Sequence, residues 1–208
     1  MDRDGLYLID SGAHYLEGTT DTTRTIKIGK VSSEMVNNYT LVLKGHISIA
    51  TAIFPENTRG REIDALARKA LWTEGKDYAH GTGHGVGCLL SVHEGPISIS
   101  KNSECHIVNG MVISNEPGYY KSDEYGIRIE NLEVVSKKYF KNSENFLHFE
   151  NLTKVPFELD LINKEMLTTD EIKWINLYHE KVCIELSRLI NSNDTQLLNY
   201  LKIKTLPI

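Results

Sequence analysis

The chain has 208 residues and a formal net charge of -5. This length is sufficient for one domain with a sizeable core, and the negative charge without any basic block argues against nucleic acid and anionic membranes as partners. No apolar run approaches the roughly 18 residues of a membrane span, and the charged first residues lack the apolar core of a signal peptide. Cys88, Cys105 and Cys183 show no C-x-x-C spacing, which argues against a disulfide scaffold and a zinc knuckle. We therefore expect a protein of the reducing cytoplasm.

Two β-strands joined by a turn are predicted at the N-terminus. Residues 5–10 alternate like a strand, residues 22–28 are rich in β-branched side chains, and Ser11-Gly12 and Gly18 between them supply turn chemistry. Asp10 ends the first strand on a mostly apolar face, where a carboxylate is unexpected, and Asp21 enters the second strand. An antiparallel hairpin would bring these two carboxylates together.

Helices are predicted in the middle and at the end of the chain. The first begins at Ser32 or Ser33 and runs to Pro55, and the second covers residues 61–74. A third, long helix starts near Leu167 with the capping box Thr168-x-x-Glu171, and a short helix follows at residues 197–201. We expect these helices to be structural. Their predicted inward residues are Val36, Leu43, Ile47, Ala50, Phe54; Ile63, Leu66, Ala67, Ala70, Leu71; and Ile172, Ile175, Leu177, Val182, Leu186, Leu189.

A run of alternating glycines and histidines lies between the second and third helices. It is HGTGHGVG at residues 80–87, followed by VHEGP at residues 92–96. No G-x-G-x-x-G register fits these glycines, and no second histidine follows His93-Glu94 at zincin spacing, so the run is neither a dinucleotide fingerprint nor a zincin helix. Taken alone, it is a glycine-rich loop with solvated histidines. Glycine also lets a backbone approach a ligand closely, and imidazole is a common metal ligand.

The second half of the chain begins with further strands. A short one covers residues 111–115 and is ended by Glu116 and Pro117, because proline cannot donate a ladder hydrogen bond. Alternation predicts one strand over residues 125–135, in which Ile127 and Ile129 face one side while Arg128 and Glu130 face the other. Residues 137–145 are predicted to form a polar turn, and residues 146–157 are predicted to be extended.

Four carboxylates and one imidazole at strand ends and in the glycine run suggest a metal centre. Four crowded anions raise one another's pKa values, and two divalent cations would balance their charge. Such a paired site can hold a bridging hydroxide at neutral pH and polarise a carbonyl group, and oxygen-dominated ligation favours manganese over structural zinc. The candidate ligands are Asp10, Asp21, His84, Glu116 and Glu130.

Several motifs together resemble the Xaa-Pro aminopeptidase (aminopeptidase P) family. The first is DSGAHYLEGTTDTTRT at residues 10–25, the second and third are residues 81–87 with 92–96 and NEPGYY at 115–120, and the fourth is GIRIEN at 126–131. They follow one another in the family's order. The segment from Phe149 to His179 is similar to the C-terminal extension of the three-domain eukaryotic members. The resemblance implies an α/β pita-bread fold and removal of an N-terminal residue that precedes proline.

The resemblance also implies roles for individual residues. Asp10 would chelate one metal ion, His84 and Glu116 would hold the other, and Asp21 and Glu130 would bridge the two. His80 and His93 match histidines that line the substrate pocket and stabilise the reacting carbonyl group, and Arg128 matches a neighbour of the bridging glutamate. An alternative for these last three is to orient the ligands. The implied cofactors are two divalent ions, Mn²⁺ above others, and the implied substrates are peptides with proline in second position.

The same resemblance implies a division of the chain and residues upstream of it. Residues 1–146 would form the catalytic domain without its N-terminal part, and residues 147–208 a C-terminal helical extension that contributes to a homodimer. In the family, two helices, a strand and a substrate-contacting histidine precede the first aspartate, whereas this chain begins nine residues before Asp10. We therefore expect low peptidase activity from residues 1–208 alone.

Other interpretations remain open at this level. Prolidase and methionine aminopeptidase share the pita-bread fold, and some pita-bread domains are metal-free binding modules. The run at residues 18–21, the motif at residues 115–120 and the C-terminal extension favour aminopeptidase P. The presence of all five candidate ligands argues against the metal-free module.

Overall fold

The computed structural model describes residues 4–89, 91–141 and 143–208. In these residues it has an α/β architecture of ten strands, four α-helices and two 3-10 helices. The strands are β1 Gly5–Tyr15, β2 Gly18–Ile28, β3 Ile53–Pro55, β4 Gly83–Gly85, β5 Glu94–Ile99, β6 Val112–Asn115, β7 Gly118–Lys121, β8 Tyr125–Arg128, β9 Asn131–Phe140 and β10 Ser143–Asn151. The helices are α1 Ser33–Ala50, α2 Gly60–Trp72, α3 Thr169–Ser187 and α4 Thr195–Lys204, with 3-10 turns at Leu159–Leu161 and Lys164–Met166.

The predicted N-terminal hairpin is confirmed, and its strands are longer than expected. Strands β1 and β2 pair along their whole length in antiparallel register. Gly12 lies opposite Asp21, and Asp10 lies opposite Thr23. Side chains two apart on a strand share a face, so Asp10, Asp21 and Thr23 point to the same side of the hairpin.

An antiparallel sheet of six strands and a separate two-stranded ribbon organise the rest of the chain. The sheet order is β3-β10-β9-β6-β4-β5, and the ribbon is β7-β8. The chain leaves the sheet at Glu116-Pro117 and returns at Ile129-Glu130, because Asn115 pairs with Asn131 before the break and Gly118 with Arg128 after it. The two breaks therefore lie side by side on neighbouring strands and place Glu116 and Glu130 next to each other.

Three strand predictions need correction. The prediction of a single strand over residues 125–135 is wrong. Residues 125–128 pair with β7 and form the ribbon, whereas residues 131–140 form a strand of the six-stranded sheet. The polar turn at residues 137–145 is also wrong: β9 continues to Phe140 and β10 begins at Ser143, and position 142 lies outside the described residues. The ring centroids of Phe140 and Phe146 are 5.4 Å apart across this hairpin. The extended segment from residue 146 keeps strand pairing only to Asn151.

The helix predictions are confirmed in position and corrected in detail. The Ser32 hydroxyl caps α1, accepting a hydrogen bond from the Met35 amide at 3.2 Å, and the capping box of α3 is present. Helix α1 ends at Ala50, and Phe54 is buried in β3 instead. In the described residues, no helix combines the length and apolar character that a membrane crossing requires. Side chains predicted to point inward but found exposed are Leu66, Leu177 and Leu189.

The buried apolar side chains form two clusters in the described residues. One lies between the sheet and helices α1 and α2, and includes Phe54, Ile63 and Ile113. The other joins α1 and the ribbon to the C-terminal part of the chain, through residues such as Ile127, Phe157 and Ile175. The C-terminal helix α3 is thus part of the same core that supports the end of strand β8.

Candidate metal centre

Two carboxylates and one imidazole meet where the hairpin, strand β4 and the break after β8 come together. Asp21, His84 and Glu130 each offer a ligand atom, and these atoms lie within 4.8 Å of one another. Asp21 is 7% exposed and Glu130 is 2% exposed, whereas His84 is half-buried. Three segments far apart in sequence therefore deliver three potential metal ligands to one point.

Glu116 extends this group. The His84 Nε2 atom lies 3.2 Å from Glu116 Oε1 and 3.5 Å from Asp21 Oδ2. The Ser114 hydroxyl donates to Glu116 Oε1 at 2.9 Å and accepts from the His84 amide at 2.9 Å. Because Pro117 ends the ladder, Glu116 lies just beyond β6, within reach of the imidazole on the neighbouring strand.

Asp10 is connected to the group through Arg128. The Arg128 Nη2 atom donates to Asp10 Oδ2 at 2.6 Å, and its Nε atom lies 4.0 Å from Glu116 Oε2. The side chain of Asp10 is 48% exposed. The structure therefore brings Asp21, His84, Glu116 and Glu130 into direct proximity and places Asp10 at the rim, paired with a cation.

The pKa values of two members of the group are strongly shifted. Burial and the neighbouring Glu116 raise the pKa of Glu130 to about 8, although a hydrogen bond from Thr23 opposes this shift. Burial lowers the pKa of His84, but hydrogen bonds to Asp21 and Glu116 outweigh it and raise that pKa to about 10. Anions held this close need positive charge between them. Carboxylate oxygens with a single imidazole are a donor set suited to hard divalent cations, so these residues fit such ions.

Two further histidines lie around the centre. The ring of exposed His93 stands nearly perpendicular to that of His84, with centroids 4.2 Å apart. The His80 Nε2 atom is 2.8 Å from the Tyr120 hydroxyl, which also accepts from Arg128 Nη1 at 3.0 Å. His80, Tyr120 and Arg128 therefore form one polar wall next to the carboxylates.

Sequence reasoning did not single out three residues that support this arrangement. The Thr23 hydroxyl donates to Glu130 Oε2 at 2.6 Å and accepts from Arg128 Nε at 3.1 Å. Ser114 and Tyr120 make the contacts described above. Only Thr23 had a local signal, because it lies two positions after Asp21 on the same face of a strand.

Similarity to known proteins extends over nearly the whole chain. Residues 1–137 match the metallopeptidase family M24, and residues 145–208 match the C-terminal region of peptidase M24. The chain belongs to metallopeptidase family M24. This M24 chain is 47% identical over 209 residues to Xaa-Pro aminopeptidase 1 of Dictyostelium discoideum, in an alignment that covers 98% of this chain and 33% of the relative.

Solved structures confirm the predicted pita-bread fold of this M24 chain. The X-prolyl aminopeptidase of Caenorhabditis elegans, a cytosolic enzyme with a di-nuclear active site, matches with a TM-score of 0.94 and 42% identity, over 98% of this chain and 34% of that one. The prolidase of Pyrococcus horikoshii OT3 matches with a TM-score of 0.64 and 34% identity, over 74% of this chain and 41% of that one. The chain spans about a third of the length of the two Xaa-Pro aminopeptidases. The resemblance to their family is confirmed.

Proposed function

We propose that the chain carries the catalytic metal centre of an aminopeptidase that hydrolyses the bond between an N-terminal residue and a following proline. The observation that carries this proposal is the convergence of Asp21, His84, Glu116 and Glu130 in a chain similar to Xaa-Pro aminopeptidases. The substrates would be peptides with proline in second position. The cytosolic relative in Caenorhabditis elegans supports a cytoplasmic location.

The proposed ligands are those of the sequence prediction. Asp21 and Glu130 would bridge two divalent ions, and His84 and Glu116 would hold one of them. Asp10 would break its ion pair with Arg128 and chelate the other ion. Two such ions, for which Mn²⁺ is our choice, would supply a hydroxide nucleophile at neutral pH and polarise the scissile carbonyl group. The protein contributes the fixed geometry: Thr23 and Ser114 hold Glu130 and Glu116 in place through hydrogen bonds of 2.6 and 2.9 Å.

The substrate would lie against the wall formed by the remaining candidates. His93 is proposed to donate a hydrogen bond to the carbonyl oxygen as negative charge develops there, which lowers the barrier because the bond strengthens in the transition state. His80 would line the pocket for the peptide, supported by its contact with Tyr120. Arg128 is proposed to contact substrate once Asp10 turns toward the metal.

The test is hydrolysis of a tripeptide Xaa-Pro-Xaa in the presence of Mn²⁺, with the dipeptide Xaa-Pro as comparison. Release of the first residue from the tripeptide and not from the dipeptide is expected. Cleavage of the dipeptide alone would instead indicate a prolidase, and cleavage of neither would contradict the proposal. We propose that residues 1–208 alone turn over slowly, because the chain spans about a third of the length of the two Xaa-Pro aminopeptidases.

The division of the chain and its assembly are also proposals. The proposed boundary between residues 146 and 147 lies within β10, which pairs with β9 and β3. We propose that the C-terminal extension contributes to a homodimer through the outer face of α3. Leu177 and Ile184 support this, because they are 54% and 47% exposed and lie two turns apart on that helix.

A further inference from the structure

A buried arginine holds the backbone at one proposed metal ligand. Arg24 lies in β2, three residues after Asp21, and is 5% exposed. Its Nη1 atom donates to the carbonyl oxygens of Thr23 at 2.8 Å and Glu130 at 2.6 Å. Its Nη2 atom donates to Asn131 Oδ1 at 2.6 Å, and the Glu130 amide donates to the Thr23 carbonyl oxygen at 3.0 Å. The backbone N–H and C=O groups of Glu130 are therefore both hydrogen-bonded to residues of β2.

The same guanidinium group also binds the C-terminal part of the chain. Arg24 Nε donates to the carbonyl oxygen of Pro156 at 3.1 Å, and Nη2 donates to that of Val155 at 2.7 Å. The guanidinium carbon lies 4.8 Å from the centroid of the Phe157 ring. The five N–H donors of an arginine side chain thus all find acceptors, and these acceptors are uncharged oxygens. Within the described residues, the Arg24 side chain is therefore held by directional hydrogen bonds to neutral oxygens and not by an ion pair.

Tyr178 of helix α3 completes the network. Its hydroxyl lies 2.7 Å from the Val155 carbonyl oxygen, to which it donates, and accepts from Arg24 Nη2 at 3.2 Å. Asn131 Nδ2 is within 3.5 Å of the same hydroxyl. The Tyr178 ring stacks on Phe157 at a centroid distance of 4.5 Å. A continuous set of hydrogen bonds therefore leads from α3 to the backbone of Glu130.

We propose that Arg24, anchored by Tyr178, is a positioning residue through which the C-terminal segment at residues 153–187 sets the geometry of the metal centre. This inference rests on the proposed metal-binding function. Groups that hold a metal ligand in place typically contribute about 10- to 100-fold to metal affinity. Coupling between two parts of a protein is reciprocal, so metal binding stabilises this segment in turn. The C-terminal extension then helps to set the geometry of the metal centre, in addition to contributing to the hydrophobic core.

The test uses Tyr178→Phe, which removes one hydroxyl and keeps the stacked ring. A change at Arg24 is avoided because it would leave several buried carbonyl groups without donors. The matched control is Val182→Ala, at a buried position one turn further along α3 that makes no polar contact with the network. The affinity for Mn²⁺ is measured by calorimetric titration of wild type and both variants. Hydrogen–deuterium exchange of residues 153–187 is measured with and without Mn²⁺.

Tyr178→Phe is expected to bind Mn²⁺ about tenfold more weakly, whereas Val182→Ala, although less stable, binds it like the wild type. Mn²⁺ is expected to slow exchange in residues 153–187 of the wild type, and this protection is lost in Tyr178→Phe. Equal affinities in Tyr178→Phe and wild type, or equal losses in both variants, would overturn the inference while leaving the metal centre intact. A wild type that binds no Mn²⁺ would overturn the proposed function itself.

Discussion

The hydroxyl of Thr23 is a contact through which β2 holds the carboxyl group of Glu130, and the effect of removing this hydroxyl can be estimated. Thr23→Val abolishes the 2.6 Å bond to Glu130 and the 3.1 Å bond from Arg128 at a fully buried position. In the metal-free protein the pKa of Glu130 is raised to about 8, so at pH 7 its carboxyl group is mostly protonated and the bond is worth about 1 kcal/mol. Metal binding requires the ionised form, to which such a bond is worth roughly 1.5–3 kcal/mol. A difference on the order of 1 kcal/mol predicts a five- to tenfold weaker metal affinity.

The assay compares Thr23→Val with Thr25→Val. Thr25 is fully buried two residues further along the same strand, and among the described residues its hydroxyl hydrogen-bonds to the backbone of Arg128, at 3.1 Å to both N and O. Calorimetric titration with Mn²⁺ at pH 7 gives the affinities, and urea unfolding with a chelator gives the stabilities. Both variants are expected to be less stable, but only Thr23→Val should lose metal affinity. Equal affinity losses in the two variants, or a Thr23→Val affinity within about twofold of wild type, would refute the reasoning.

Three further predictions follow from the site and the core. His93→Ala should lower turnover about 10²- to 10³-fold with metal content unchanged; near-normal turnover, or loss of metal, would make His93 structural. Burial, with a smaller contribution from the charge of Arg24, lowers the pKa of His46 to about 3. Only unfolded His46 binds a proton between about pH 4 and 6.5, so its contribution to stability is complete above pH 6.5 and falls by about 1.4 kcal/mol per unit as the pH decreases. Urea unfolding of wild type and His46→Gln at pH 7, 6 and 5 checks this, and a pH-independent difference contradicts it. Sedimentation should show a dimer for the wild type and a monomer for the double variant Leu177→Glu/Ile184→Glu. A monomeric wild type would contradict the proposed homodimer.

Local sequence patterns drew attention to three of the candidate ligands, Glu116, Asp10 and Asp21. Pro117 marks the end of β6 because it has no backbone N–H to donate to a neighbouring strand. Asp10 and Asp21 are polar residues on a strand face that is otherwise suited to burial. The structure then shows which of them meet: Glu116 lies beside His84, whereas Asp10 lies on Arg128. That distinction depends on side-chain contacts between segments far apart in sequence, which no local pattern contains.

The break at Glu130 could not be predicted for a related reason. Residues 129 to 133 are all buried, so burial continues through the break without marking it. Alternation reports which face a side chain occupies, whereas the break is a change of hydrogen-bonding partner from β7 to β6. In the same way, helix α3 gave no sign of a link to the site. The link is the Tyr178 hydroxyl, whose partners Arg24 and Asn131 are 154 and 47 residues away in the chain.

The central claim is that Asp21 and Glu130 hold two metal ions together with His84, Glu116 and Asp10. It is tested most directly by titrating the metal-free protein and its Asp21→Asn variant with Mn²⁺ and counting the ions bound. We predict two ions per chain for the wild type and loss of both in Asp21→Asn, because the proposed bridging carboxylate would be shared by both ions. A wild type that binds fewer than two ions, or an Asp21→Asn variant with unchanged metal content, would contradict the account.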